Sequence, residues 1–445
     1  MSDRSLTDAS PQEVEQTYRA ITRRLIPFLI VCYISAYIDR SNIGIAKLQF
    51  TGELGITEAM YGLGGGLFYL GYSLLEVPSN LLMARVGARL TIARVMFLWS
   101  VCSAATAFIL HPYHFYILRF LLGAAEAGFF PGVLFYLSQW APGPRRARLT
   151  ALFMSAMALS GVISNPISGL ILGSMNGRLG LDGWQWLFLL EGLPGCFLAV
   201  AAYFYLTDRP ADARWLTERQ KAIVLRDLEQ ETTAKQHQSH GRFLEAVKDP
   251  RFYTLAVMAM AMISGLAGLS LWVPTIIRQS GVKDVLHVGL LSASPYLFGI
   301  VAQQLVARSS DRHQERRWHA AGAGLFGALA WCALPLAAGD PWLSVIALNC
   351  VAIGMFGATG PFWSMPANML RGSATAGGIA LITTFGSISG FFSPMIVGWV
   401  AGRTGSLAFG QYYFGGLLAL GSLLLLAARP ARPVQAADLA LAPSN

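Results

Sequence analysis

Apolar runs long enough to cross a bilayer follow one another along almost the whole chain, separated by short polar stretches. A spanning helix needs about 20 mostly apolar residues. On that measure the pattern predicts twelve helices, over 25–45, 59–83, 91–110, 113–138, 149–174, 184–206, 252–277, 286–307, 318–338, 341–366, 373–401 and 409–428. One long polar stretch, 207–250, interrupts the series after the sixth helix. Within it, residues 215–231 read as a surface helix carrying Trp215, Leu216, Ile223, Leu225 and Leu228 on its apolar side. The fold class predicted is therefore an all-α membrane protein of twelve transmembrane helices in two six-helix bundles. Its parts are a polar tail (1–24), a first bundle (25–206), a linker (207–251), a second bundle (252–428) and a second tail (429–445).

A faint internal repeat supports two related halves. At a constant offset of 227, Gly62 aligns with Gly289, Tyr69 with Tyr296, Leu70 with Leu297 and Arg85 with Arg312. This relates the second helix to the eighth, as parallel halves of an alternating-access carrier require.

Composition changes the picture by excluding soluble classes. Asp, Glu, Lys and Arg make up 13% of the residues, against about 25% in a soluble domain. The net charge of +9 comes without a basic stripe interleaved with aromatics, so nucleic acid is not an expected partner. The basic residues instead cluster at 85–89, 145–148 and 308–317. With both termini cytoplasmic, 26 of the 33 lie inside, 5 outside and 2 within the membrane, which is a positive-inside distribution. The first 24 residues are polar, with no apolar core and cleavage site, so no removable signal peptide is expected. The five cysteines fall inside apolar runs and read as packing residues, and no His, Cys or carboxylate set has metal-ligand spacing. Glycine clusters at 62–66 and 377–378 follow no strand and lack a Gly-Lys-Ser/Thr ending, which favours close helix packing over nucleotide binding.

Charge inside the bilayer costs about 2.5–3.5 kcal/mol per residue at a helix centre, so each instance is a candidate site. The first helix holds Asp39 and Arg40, and the fourth holds Arg119 and Glu126. Glu76, Arg278 and Arg371 sit near helix ends, and Glu191 lies about a third of the way into the sixth helix. A guanidinium stays charged and can hold an anion, while a carboxylate can take up and release a proton. Asp39 and Glu126 are thus candidates for proton coupling, with Arg119 as a switching partner. A fixed ion pair fastening the first helix to the fourth is the structural alternative. On a helical wheel Tyr33, Tyr37, Arg40 and Gly44 share a face, and Asp39 points about 100° away. The second half has no deep titratable residue, and its cavity candidates are neutral, Trp363 and Thr383 among them.

The stretches AYIDRSNIGIA, FYLGYSLLEVPSNLLMARVGARL, RFLLGAAEAGFFPGVLFYLSQW, WQWLFLLEGLPG, YLTDRPADARWLTE and LSLWVPTIIR resemble the major facilitator superfamily. Within it the likeness is to the anion:cation symporter family of tartrate, hexuronate, galactonate and phthalate carriers. The resemblance implies proton-linked roles for Asp39 and Glu126, substrate contact by Arg40, and a substrate-facing Tyr72. It also implies gating loops at Arg85, Gly87 and Arg89 and at Asp311 and Arg312. This chain departs from the pattern in having Ala84 where an acid usually precedes the first Arg-x-Gly, and Thr383 and Ser387 where tartrate-like members tend to carry asparagines.

The sequence thus predicts a secondary transporter, not an enzyme, in a bacterial inner membrane. It is expected to be a monomer that carries a small organic anion with protons and needs no cofactor. Tyr37, Tyr72, Trp363, Thr383 and Arg40 are the substrate-side candidates. An uncoupled facilitator, an exchanger and a drug exporter remain as alternatives.

Overall fold

Ser10 starts the first helix by a reciprocal cap. Its hydroxyl accepts from the Glu13 amide at 3.2 Å, the Glu13 carboxylate accepts from the Ser10 amide at 2.9 Å, and Pro11 occupies the first turn. The computed structural model describes residues 9–236, 250–369 and 373–428, and every regular element in them is helical. The helices are α1 (Pro11–Glu53), α2 (Glu58–Val86), α3 (Ala88–Ala105), α4 (Pro112–Glu126), α5 (Phe129–Ser138), α6 (Gly143–Ser174) and α7 (Gly183–Tyr205). They continue with α8 (Glu218–Gln236), α9 (Pro250–Gln279), α10 (Val285–His313), α11 (Arg317–Ala333), α12 (Pro341–Met369), α13 (Ser373–Thr404) and α14 (Ala408–Ala427). The tail 429–445, linker residues 237–249 and Arg371 lie outside the described residues.

Eleven spans are long and apolar enough to cross a membrane, α4 and α5 counting as one. The twelfth is α2, whose 29 residues include a run of glycines with Tyr, Ser, Glu76 and Arg85 that lowers its apolarity. All but the surface helix α8 therefore build the twelve-helix fold.

Two expectations need correction. The segment 1–24 is not simply a tail, because α1 already runs from Pro11. This extension docks on α8: Tyr18 donates to Asp227 at 3.0 Å and Arg219 to Glu13 at 2.8 Å, while Arg145 of α6 donates to Glu15 at 3.0 Å. The linker is further anchored by Trp215 stacked on Trp140 with ring centroids 5.3 Å apart.

The fourth span is also not one helix. It breaks after Glu126, where Gly128 takes a φ of +87° before α5 begins. Pro131 explains the break. In a continuous helix it could not donate to the Ala127 carbonyl and its ring would strike that group.

The two halves repeat one packing scheme. In the first, α2 packs on α4, α3 on α7 and α1 on α6; in the second, α10 packs on α12, α11 on α14 and α9 on α13. Across the halves α2 meets α13 and α6 meets α10.

Glycines make these two seams tight. A Cβ on Gly62 would stand 2.2 Å from the Pro394 carbonyl oxygen, and one on Gly289 would stand 2.5 Å from that of Asn165. Likewise Tyr69 lies against Gly390 and Tyr296 against Gly161. Two of the residue pairs related at offset 227, Gly62 with Gly289 and Tyr69 with Tyr296, thus lie where the halves meet. These close approaches run from mid-helix to the end of the bundle opposite α8.

Candidate functional site

Arg40 and Glu126 form an ion pair near the middle of the first half. Arg40 comes from α1 and Glu126 from the last turn of α4, so the break in the fourth span lies immediately beside the pair. The Arg40 guanidinium also lies 5.1 Å from the Phe68 ring centroid and 5.6 Å from that of Tyr72, both on α2. The faces of these rings attract the guanidinium through their quadrupoles.

Arg119, one helical stretch earlier on α4, is buried and lies 5.1 Å from the same Phe68 ring. Two guanidinium groups therefore share one aromatic side chain, and one of them is held by a carboxylate. The Nε atoms of both arginines have no hydrogen-bond partner. An oxyanion fits such an arrangement, since a guanidinium can hold a carboxylate through two parallel N–H donors.

Asp39 does not join this pair. It faces α3, where the Ser103 hydroxyl donates to its Oδ1. Successive residues on α1 thus address different neighbours, as the 100° step of a helix requires. Tyr37 points to the other half, its ring centroid 6.2 Å from that of Tyr296 on α10.

The second-half candidates sit differently. Trp363 on α12 is partly buried and packs on Phe362 at 5.0 Å. The Thr383 hydroxyl donates to the Ile379 carbonyl of its own helix at 2.9 Å. No contact joins either residue to Arg40 among the described residues. Ser264, Ser389, Ser393 and Tyr413 instead form a hydroxyl network that ties α9, α13 and α14 together.

The loop residues fall at the end of the bundle that carries α8. Gly87 separates α2 from α3 with a φ of +92°, and a Cβ there would stand 2.7 Å from the Asp208 carboxylate. Asp208 accepts from the Arg89 amide at 2.8 Å, and Arg89 lies over the Tyr203 ring at 4.8 Å. An acid from after α7 thus serves the loop whose own acid is replaced by Ala84. Arg85 and Arg312 are exposed, and Asp311 pairs with Arg316. Glu315 in the second loop is partly buried, which works against its charge. The Trp318 amide and His319 nevertheless hold its carboxyl below the usual range.

Phe68, Tyr296 and Asp208 were not singled out as site residues in the sequence reading. Tyr296 carried a signal, because it is a member of the internal repeat. Asp208 lay within a family-like stretch, whereas Phe68 is indistinguishable from a packing residue.

Residues 29–394 match the family model of the Major Facilitator Superfamily. The chain belongs to that superfamily. A provisionally named tartrate transporter of Agrobacterium vitis is 44% identical over 92% of this chain and 90% of its own length. A quinolone resistance transporter of Acinetobacter baumannii is 39% identical over 91% of this chain and 93% of its own. Among solved structures, the D-xylose-proton symporter superposes with a TM-score of 0.71 at 14% identity, covering 91% of this chain and 97% of the other. At that identity the likeness carries the fold alone. This member of the superfamily is a multi-pass membrane transporter, and neither its fold nor its relatives are those of enzymes.

Proposed function

We propose that this transporter takes up a small organic anion together with protons across a bacterial inner membrane. A sugar acid, a tartrate-like dicarboxylate or an aromatic carboxylate is the substrate class. The observation that carries this reading is the Arg40–Glu126 pair seated on Phe68 and Tyr72. A protonated Glu126 no longer competes for the guanidinium, which becomes available to the substrate carboxylate. Loss of the proton restores the pair and expels the anion. Arg119 adds positive charge on the same ring and is the second place where a carboxylate can be neutralised. Asp39 is a further proton-linked group acting through α1.

The closed seams provide the other half of the cycle. With the termini cytoplasmic, the halves meet on the outer side, and opening the Gly62 and Gly289 contacts would admit substrate from outside. The tartrate-named relative supports a carboxylate substrate, whereas the quinolone-resistance relative supports an exporter of drug-like molecules as the second reading.

Uptake of radiolabelled tartrate, sugar acids and benzoate-type acids into proteoliposomes, with and without an inward proton gradient, tests both. Gradient-driven accumulation of a carboxylate is the expected result. It should disappear in Glu126→Gln, and Arg40→Lys should restore little of what Arg40→Ala loses, because an ammonium offers no planar fork. Accumulation that survives unchanged in Asp39→Asn and Glu126→Gln would refute the proton assignment. Drug efflux without carboxylate uptake would favour the exporter.

A further inference from the structure

Asp39, which does not join the Arg40–Glu126 pair, is enclosed together with a second acidic residue, Glu191, that the cycle above does not use. Asp39 is 1% exposed and Glu191 of α7 is 6% exposed, with Asn42, 1% exposed, on the same helix as Asp39. Ser103 of α3 donates to Asp39 Oδ1, and Ser168 of α6 donates to Glu191 Oε1 at 2.6 Å. Each carboxyl therefore has one oxygen satisfied. Asp39 Oδ2, Glu191 Oε2 and both polar atoms of the Asn42 amide have no hydrogen-bond partner.

Asn42, three residues after Asp39, shares a face of α1 with it. Glu191 is near enough to act on Asp39 electrostatically, and the Asn42 side chain lies against the Glu191 carboxyl. Helix α7 is pressed onto α3 at glycine distance, since a Cβ on Gly192 would stand 3.1 Å from Ser103 Oγ and one on Gly195 would stand 2.0 Å from Ser100 Oγ.

Among the described residues, the groups that face the two acids bring no counter-charge. From α3 come hydroxyls and the Trp99 indole, from α6 Ser168, from α7 Cys196, and from α4 Glu126, which is already held by Arg40. Neither acid takes part in an ion pair among the described residues. Two ionised carboxylates so enclosed would repel each other, with no cation and only one hydroxyl hydrogen bond each to offset the loss of water.

We propose that Asp39, Asn42 and Glu191 form a buried one-proton site, in which the Asn42 amide bridges one neutral carboxyl and one carboxylate. The neutral carboxyl donates its O–H to Asn42 Oδ1, and Asn42 Nδ2 donates to the bare oxygen of the other acid. One proton thereby satisfies all four bare atoms. With no proton, Asn42 Oδ1 lacks a donor and two charges face each other. With two protons, both bare carboxyl oxygens carry hydrogen and Asn42 Nδ2 has no carboxylate to donate to. Because Asp39 immediately precedes Arg40, the state of this site bears on how α1 presents the guanidinium. Glu191 is thus a positioning residue for the anion site. This coupling role rests on the proposed proton symport, while the proton site itself does not.

Two measurements on the full chain in lipid keep the two ideas separable. Infrared spectra at pH 7 report protonated buried carboxyls through their carbonyl stretch. Difference spectra of wild type against Asp39→Asn and against Glu191→Gln should each show a buried-carboxyl band lost or displaced. A flat carbonyl region in both would overturn the site.

The pH profile of substrate counterflow reports coupling. Its midpoint should move by about one unit or more in Glu191→Gln, the scale on which a neighbouring charge shifts a carboxyl, with Glu191→Asp lying closer to wild type. An unmoved midpoint in a variant that melts like wild type would overturn the coupling role. Should Glu191→Gln fold poorly, Asn42→Ala removes the bridge while leaving both acids, and the same band change and midpoint shift are expected of it. A wild-type protein that shows no gradient-driven accumulation would sink the symport reading, and the infrared bands would still decide the proton site.

Discussion

Adding one methyl group at Gly62 should push the transporter out of the state seen in this structure. The new Cβ would stand 2.2 Å from the Pro394 carbonyl oxygen and 2.9 Å from the Gly398 Cα, where ordinary contact begins at 3.4 Å. Helices α2 and α13 must then separate by about 1 Å, because the obstruction is backbone and cannot rotate away. Overpacking of this kind costs about 1–3 kcal/mol. The penalty falls only on the state in which this end is closed. The balance between the two access states should therefore move about 5- to 150-fold toward opening. Gly289→Ala is the repeat-related counterpart, with contacts at 2.5 Å to the Asn165 oxygen and 3.0 Å to the Gly169 Cα, and it should act in the same direction. Gly322→Ala, which meets nothing within 4 Å, is the control. Spin labels at Arg178→Cys and Lys283→Cys, both exposed near the α6–α10 seam, would read the opening as a longer distance between electron spins. Distance distributions and melting that match wild type in both Gly62→Ala and Gly289→Ala would refute the idea that these glycines hold the seam.

Gly128→Ala should destabilise the protein more than either seam variant. It meets the Ser79 side chain at 2.6 Å and must also adopt a φ of +87°, so a fall in melting temperature is expected that Ser79→Gly restores only in part. Asp208→Ala removes the acceptor for the Arg89 amide and is expected to lose about 1 kcal/mol, the typical size of a helix cap, measurable by thermal melting in detergent. The depressed carboxyl of Glu315 contributes stability above the ordinary value of 4.5 that disappears as pH falls through its lower folded value. Melting of Glu315→Gln should therefore drop below wild type near neutrality and converge with it in acid, whereas a constant gap across pH would contradict this reading.

Much of the bundle was legible because crossing a bilayer is a local property of the chain. A run such as 286–307 carries its own requirement for apolar surface, without reference to distant residues. Local chemistry also marked two features that apolarity alone overlooked. The cap formed by Ser10, Pro11 and Glu13 announces a helix before residue 25. Pro131 three residues after Gly128 announces the break within the fourth span.

The candidate site was legible only as a set of residue types. Asp39, Arg40, Arg119 and Glu126 stand out because charge in a membrane is costly wherever it occurs. Which of them pair depends on how α1 is rotated against α2, α3 and α4, and on the end of α4 falling beside Arg40. Glu191 shows the limit most clearly. Along the chain it is one acid in the sixth helix, and only the approach of Gly192 and Gly195 to α3 sets it beside Asp39 and Asn42.

The spans, their division into six and six, and the deep charges were determined by the sequence, since lipid selects for apolar length and penalises charge residue by residue. The Arg40–Glu126 pair, the separate Asp39–Glu191 group and the glycine seams between the halves were decided by the tertiary structure. They depend on crossings between helices far apart in the chain, and no local pattern encodes which faces those crossings bring together.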